Sequence, residues 1–157
     1  MINNSEVSKK TEYLLKKTIG EGKTLQELAS ISETHLEELY SLGYDFYNQG
    51  KIKEAIAFFL FITGLNPHSY KFRFALGAAY YKSERYSEAV FQFSHALAID
   101  QTNPLPGYYA VKALLKLNEL DLAKGLAQYT IEKSESKPEY SNLKERLKII
   151  INTLNLK

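Results

Sequence analysis

Residues 36–62 read LEELYSLGYDFYNQGKIKEAIAFFLFI, and residues 70–96 read YKFRFALGAAYYKSERYSEAVFQFSHA. The two stretches align without gaps at a separation of 34 residues. The first carries Gly43, Phe46, Ala55, Phe59 and Ile62, and the second carries Gly77, Tyr80, Ala89, Phe93 and Ala96 at the same places. A period of about 20 to 50 residues is typical of stacked repeat units. The sequence therefore predicts a repeat protein.

Each copy contains two helical segments joined by a turn, and turn residues also separate the copies. Asn66-Pro67 and Asn103-Pro104 mark the joints between copies. A weaker third copy is expected at Val111, Leu114, Ala123, Ala127 and Ile131. We predict units over 36–69, 70–103 and 104–137. This pattern is that of tetratricopeptide (TPR) repeats, so the predicted fold is all-α, with three repeats in a right-handed superhelix.

Helical segments are also expected on both sides of the repeats, within one domain spanning 1–157. In 1–35, an apolar stripe is expected to cap the array or form a dimer, and Thr24 with Glu27 predicts a capping box for a short helix through Ile31. The stripe consists of Val7, Leu14, Leu15 and Ile19. In 138–157, a helix opened by Pro138 is expected to cover the third repeat through Leu143, Leu147, Ile150, Ile151 and Leu154.

Composition excludes several function classes. The chain has no cysteine, which excludes disulfides, thiolate metal sites and a cysteine nucleophile. Its 20 basic and 18 acidic residues are dispersed, so we expect no nucleic-acid partner. The longest apolar stretch falls short of the ~20 residues of a membrane span, and the first residues do not resemble a secretion signal. We therefore expect a cytoplasmic protein without direct membrane insertion.

The first helix of the first unit carries two stripes, of which one is aromatic and distinct from the core. Leu39, Gly43 and Phe46 share the face that packs within the repeat, whereas the second stripe lies about 100° away. That stripe is Tyr40, Tyr44 and Tyr47, and the same register gives Phe74, Ala78 and Tyr81 in the second unit and Tyr108, Lys112 and Leu115 in the third. We predict that it lines a concave peptide-binding groove, although each ring alone is also compatible with packing between helices.

Residues 36–50, LEELYSLGYDFYNQG, resemble the class II chaperones of bacterial type III secretion, the low calcium response H and SycD family. The resemblance continues through Glu54-Ala55, Phe58-Phe59 and residues 76–79, and backward to residues 22–25. It covers nearly the whole chain. The third unit departs from the usual repeat pattern at Val111 and Ala127.

The resemblance implies a function and a set of contacts. It implies a cytoplasmic virulence chaperone that binds an extended N-terminal segment of hydrophobic translocators and prevents their aggregation and premature association before secretion. It also implies a homodimer formed through the N-terminal helices. By the same resemblance, the groove tyrosines contact the client, and Asn48, Leu65 and Leu76 lie near it.

Two other binding functions compete with this interpretation. A TPR adaptor for carboxylate-ended peptides would need Lys and Asn where this chain has Tyr40 and Tyr44, and Lys and Arg where it has Leu105 and Tyr109. Its carboxylate clamp is therefore absent. A scaffold that bridges subunits of another bacterial assembly remains the alternative.

No combination of residues predicts an enzyme, a cofactor or a metal. Residues 20–24, GEGKT, end like a phosphate-binding loop, but Lys17 stands where the first glycine is required. His35, His68 and His95 are scattered, and a metal site needs three or four ligands. Catalytic, cofactor and metal residues are each predicted as none.

Overall fold

Helix is the only regular structure in residues 4–155, the part of the chain that the computed structural model describes. The helices are α1 Asn4–Leu15, α2 Leu25–Leu28, α3 Glu33–Asn48, α4 Ile52–Leu65, α5 Tyr70–Lys82, α6 Tyr86–Ile99, α7 Pro104–Lys116, α8 Leu120–Lys133 and α9 Ser141–Asn155. A π-helical turn, Lys16–Gly20, follows α1, and a 3-10 turn, Pro138–Tyr140, precedes α9. The all-α TPR fold is confirmed, with pairs α3/α4, α5/α6 and α7/α8.

Side-chain caps explain where the first helix of each pair begins. Ser32, Ser69 and Asn103 each accept a hydrogen bond from a backbone N–H in the first turn of α3, α5 and α7. The cap at Ser32 starts α3 three residues before Leu36, where the hydrophobic stripe begins. Thr24 and Glu27 form the predicted capping box. The short helix that they open nevertheless ends at Leu28 rather than Ile31, because Ser30 adopts a left-handed backbone with φ 53°.

The turn inside each pair uses one left-handed residue at the same repeat position. Gly50, Glu84 and Asn118 have φ of 78°, 62° and 58°, and they are spaced by the repeat period. Glycine adopts this conformation without a steric cost, whereas a residue with Cβ is strained there. The second helices then begin without a side-chain cap. The turn geometry is therefore imposed by packing of the helix pair, even where the local residue disfavours it.

Close contact between paired helices depends on matched residue sizes. A Cβ added at Gly43 would lie 2.8 Å from the ring of Phe59, and one added at Gly77 would lie 2.8 Å from the ring of Phe93. The equivalent residues of the third pair are Val111 and Ala127, both fully buried. A larger residue on one helix is thus accompanied by a smaller one on its partner, which keeps the interior filled.

A different glycine brings the helices of the third pair together. A Cβ at Gly107 would clash with Oγ1 of Thr130. Thr130 is fully buried and donates its hydroxyl hydrogen to the carbonyl oxygen of Leu126 at 2.7 Å. Thr130, and not Ile131, follows Ile62 and Ala96 at the repeat period. The sequence-based assignment of Ile131 to that position was wrong by one residue, and Ile131 is only partly buried.

The last helix closes the open end of the third pair. Leu147 of α9 is fully buried against Val111, Leu114 and Ala127, as predicted for a capping helix. The ammonium of Lys144 also donates hydrogen bonds to the carbonyl oxygens of Ser134, Glu135 and Lys137 just after α8. These carbonyls are otherwise left without helical partners at a helix end. Pro138 opens the 3-10 turn rather than α9 itself.

Across residues 4–155, no helix combines the length and the apolar character needed to cross a bilayer.

Candidate functional site

The aromatic stripe predicted on α3 forms a continuous row of rings. Tyr40, Tyr44 and Tyr47 are spaced by four and three residues and so occupy one helix face. Neighbouring rings stack, with centroids 6.2 Å apart for Tyr40 and Tyr44 and 6.4 Å apart for Tyr44 and Tyr47. The rings are not equally available, because Tyr40 also packs on Phe59 and Phe72, whereas Tyr44 is 49% exposed. Tyr44 is therefore the ring of the row that is most open to a ligand.

The row forms one wall of a pocket of about 240 Å³ between the first helices of the three pairs. The lining, which we call the groove, consists of Tyr40, Tyr44, Tyr47, Phe59, Phe74, Ala75, Ala78, Tyr81 and Tyr109. It contains aromatic rings and two alanines but no charged side chain. Tyr81 and Phe74 both meet Tyr109 edge to face, at 6.4 and 5.8 Å between centroids. The groove is a preformed apolar slot, and its tyrosines are its polar residues.

Six of the predicted groove residues line this pocket: Tyr40, Tyr44, Tyr47, Phe74, Ala78 and Tyr81. Leu76 does not, and that prediction was wrong because its side chain is 0% exposed, inside the core that it shares with Phe72 and Phe93. Asn48 is exposed at the end of α3, and Leu65 is half-buried against the core. Tyr108 and Leu115 pack on the core around α9, outside the pocket lining. Contacts of these four residues with a ligand stay predictions.

The structure adds three residues to the groove. Phe59 and Ala75 form its inner wall, and Tyr109 closes the side contributed by α7. The sequence register predicted Tyr108, one repeat after Phe74, as the groove residue of α7. The residue that lines the pocket is instead Tyr109, one repeat after Ala75. The sequence did contain a signal for Tyr109, since this position is also a groove position in the carboxylate-clamp pattern.

Lysines cover the edges of the aromatic groove. The ammonium of Lys71 lies 3.9 Å from the ring centroid of Tyr40, and that of Lys82 lies 4.4 Å from the centroid of Tyr47. Lys112, predicted as a groove residue, places its ammonium 5.4 Å from the centroids of Tyr81 and Tyr109. Cations at such distances are attracted to the ring faces. The aromatic groove therefore has a basic rim.

Burial affects the hydroxyls of three groove tyrosines. Removal from water raises the pKa of Tyr40, Tyr47 and Tyr81 above the ordinary tyrosine value. Outside the groove, burial raises the pKa of Tyr70 to about 12, and the Tyr70 hydroxyl accepts a hydrogen bond from the amide of Asn103 at 3.0 Å. Neutral hydroxyls can donate to a peptide carbonyl without adding charge to the groove.

Alternative sites suggested by sequence motifs lack the required geometry. Thr24 at the end of the GEGKT stretch is occupied by its capping box, in which its backbone N–H donates to the carboxylate of Glu27 at 2.7 Å. The helix that follows has only four residues. In the described part of the chain, no three His, Asp or Glu side chains cluster as metal ligands.

The predicted dimerisation stripe lies in α1 and the π-helical turn after it. Ile19 is 80% exposed, and Leu14 is half-buried beside a cleft that also contains Leu25 and Pro67. The side chains of Val7 and Leu15 lie outside the described residues. Dimer contacts of the four residues therefore stay a prediction.

Comparison with known proteins identifies repeats and relatives of this chain. The tetratricopeptide repeat family matches residues 36–62 and 70–103. The low calcium response locus protein H of Yersinia pseudotuberculosis is 29% identical over 136 residues, which is 87% of this chain and 81% of that protein.

Solved structures agree with this relationship. The Yersinia enterocolitica type III secretion chaperone SycD in complex with a peptide of the translocator YopD is 28% identical, with a TM-score of 0.73 over 80% of this chain and 96% of that one. The same chaperone in an alternative dimer gives 28% identity and a TM-score of 0.72 over the same shares. The chain thus carries tetratricopeptide repeats, and its relatives are type III secretion chaperones of the low calcium response protein H and SycD type.

Proposed function

We propose that this protein is a cytoplasmic chaperone that binds an extended segment near the N-terminus of hydrophobic translocator proteins. Binding would prevent their aggregation and premature association before secretion. The observation that carries the proposal is the aromatic groove, a preformed apolar slot built from all three repeats. SycD, which shares the fold, was solved with a translocator peptide.

The dimensions and chemistry of the groove suit an extended chain rather than a folded surface. A pocket of about 240 Å³ accommodates a few side chains, and its walls offer ring faces and neutral hydroxyls. An extended segment presents alternate side chains to such a wall, while its backbone remains free to accept hydrogen bonds. Aliphatic anchors fit between the rings, and tyrosine hydroxyls can donate to peptide carbonyls.

The energy of ring contact alone is modest, so several anchors are required. If a ligand covers one third of the ~150 Å² of each of three tyrosine rings, at about 25 cal/mol per Å², the gain is about 4 kcal/mol. Association costs at least about 4 kcal/mol in lost freedom of motion. A client segment must therefore span the groove from the Tyr40 end to the Tyr109 end. An apolar slot of this kind is also an aggregation risk when empty.

We further propose that the protein acts by binding, without catalysis, and forms a homodimer through its N-terminal segment. The exposed Ile19 supports the dimer, since an isoleucine 80% open to water gains from burial in an interface. SycD has also been solved as a dimer. In this proposal residues 1–35 serve dimerisation, the units 36–69, 70–103 and 104–137 build the groove, and 138–157 caps the array.

Tyr44→Ala is the sharpest test of the groove. Tyr44 is half-exposed and contacts its neighbours only by stacking, so its removal should leave the core intact. Tyr129→Ala is the matched control, because Tyr129 is a partly exposed tyrosine of α8 outside the groove. Replacing Tyr40 is less informative, since that ring packs on Phe59 and Phe72.

The experiment is co-expression with the hydrophobic translocators of the same type III secretion system, followed by pull-down and measurement of soluble client. We expect wild type and Tyr129→Ala to recover soluble translocator and Tyr44→Ala to recover much less, with unchanged helicity. Equal recovery by all three would refute binding in the groove. A translocator that stays insoluble with wild type would favour the alternative, a scaffold that bridges subunits of another assembly.

A further inference from the structure

The basic rim of the groove is not uniform, because its lysines differ in whether a carboxylate neutralises them. Lys71 forms an ion pair with Glu37 on the neighbouring α3. Lys82 and Lys112 form no ion pair with any carboxylate of residues 4–155. Lys71 and Lys82 are eleven positions apart on α5, which corresponds to about 16 Å along the helix axis. Uncompensated positive charge therefore lies at the Lys82 end.

Lys112 is held in an aromatic setting at this end. Its ammonium lies 5.4 Å from the ring centroids of Tyr81 and Tyr109 and 5.7 Å from that of Tyr108. The side chain is half-buried. Ring faces attract the cation without using its N–H donors, so these donors remain available to an acceptor. Partial removal from water also strengthens any pairing with an anion relative to a fully exposed lysine.

Lys82 supplies a second cation, beside a different ring of the groove. Its ammonium lies 4.4 Å from the centroid of Tyr47 and donates to the backbone oxygen of Tyr47 at 3.4 Å. Tyr47, Tyr81 and Tyr109 all line the groove, so both lysines border its apolar slot. The contact with the Tyr47 carbonyl uses one of three donors of the ammonium. The remaining donors are open to a ligand.

We propose that Lys82 and Lys112 form a carboxylate subsite, and that the client segment carries an Asp or Glu side chain next to the aliphatic anchor bound between Tyr47, Tyr81 and Tyr109. This inference rests on the proposed function, because it names the chemistry that the groove selects. Apolar anchors alone would bind any hydrophobic segment. A fixed acidic position adds discrimination and sets the direction in which the segment lies.

A double-mutant cycle on binding tests the subsite. Overlapping short peptides from the translocators, acetylated and amidated at their ends so that only side chains carry carboxylates, are screened against the full-length protein. For each bound peptide, every Asp is replaced by Asn and every Glu by Gln. Dissociation constants are then measured by fluorescence anisotropy with wild type, Lys112→Met and Lys82→Met. Lys133→Met is the matched control, because Lys133 also lies over a tyrosine ring, that of Tyr129 on α8.

We expect one acidic position at which replacement weakens binding to wild type by on the order of tenfold, the range of a charge-assisted hydrogen bond. Lys112→Met should weaken the original peptide similarly but bind the neutralised peptide as well as wild type does. Lys133→Met should behave as wild type. Two results would overturn the subsite and leave the chaperone function intact. In the first, peptides bind but no acidic position affects their affinity. In the second, Lys112→Met weakens binding of the original and the neutralised peptide by the same factor. Failure of every peptide to bind would overturn both.

Discussion

The second and third repeats fill the same space with side chains of different sizes. The second repeat pairs Gly77 with Phe93, and the third pairs Val111 with Ala127. This exchange predicts a compensating pair of mutations. A Cβ at Gly77 would lie 2.8 Å from two atoms of the Phe93 ring, which is fully buried and cannot move aside. Gly77→Val should therefore cost about 1–3 kcal/mol of unfolding free energy by overpacking. Phe93→Ala should cost about 3–5 kcal/mol because it leaves a cavity.

Combining both substitutions reproduces the pair found in the third repeat. The valine methyl groups then occupy part of the space vacated by the ring, so the double variant should be more stable than additivity predicts. We expect a coupling free energy of about 2 kcal/mol, within the range for residues in contact. Urea unfolding followed by far-UV circular dichroism measures each corner of the cycle. Additive losses would refute the idea that the third repeat solves the same packing problem with exchanged sizes.

A glycine in open space provides the control. Nothing lies within 4 Å of a Cβ built at Gly64 in α4. Gly64→Ala should raise the unfolding free energy by up to about 1 kcal/mol, because alanine has a higher helix propensity than glycine. The contrast between Gly64 and Gly77 separates helix propensity from the steric limit. A stabilised Gly77→Ala variant would show that the Phe93 ring yields more readily than its burial indicates.

Two further predictions follow from the turns and from a buried hydroxyl. At the left-handed turn position, Gly50→Ala should lower the unfolding free energy by about 1 kcal/mol, as measured by urea unfolding. Glu84→Gly should leave the unfolding free energy unchanged or raise it. A Glu84→Gly variant that is less stable than wild type would contradict the strain assigned to Glu84. Because burial raises the pKa of Tyr70 to about 12, its stabilising contribution is complete below pH 10 and is lost as the pH rises toward 12. Tyr70→Phe should therefore unfold at a midpoint that depends less on pH over this interval, and an unchanged dependence would show that Tyr70 does not titrate there.

The repeat period and the tyrosine row could be read from sequence for a physical reason. Helix periodicity places Tyr40, Tyr44 and Tyr47 on one face wherever the helix lies. The glycine and ring positions recur in the first two repeats because their paired helices approach equally closely. Leu76 could not be placed in this way. Leu76 comes directly after Ala75, which lines the groove. Only the residues that surround Leu76 in space show that it belongs to the core.

The sequence alone determined the helical repeats, the last helix and an aromatic stripe on a second face of α3, because these depend on local spacing and side-chain size. Tertiary structure decided which rings meet in one slot, that Tyr109 replaces Tyr108 in its lining, and that Lys82 and Lys112 border it without a carboxylate partner. Such facts depend on how three helix pairs rotate against one another. In the third pair, the helices approach closely at Gly107 and Thr130, and the residue that reaches the groove is one position later than the repeat predicts. The repeat pattern of the sequence does not reveal this difference.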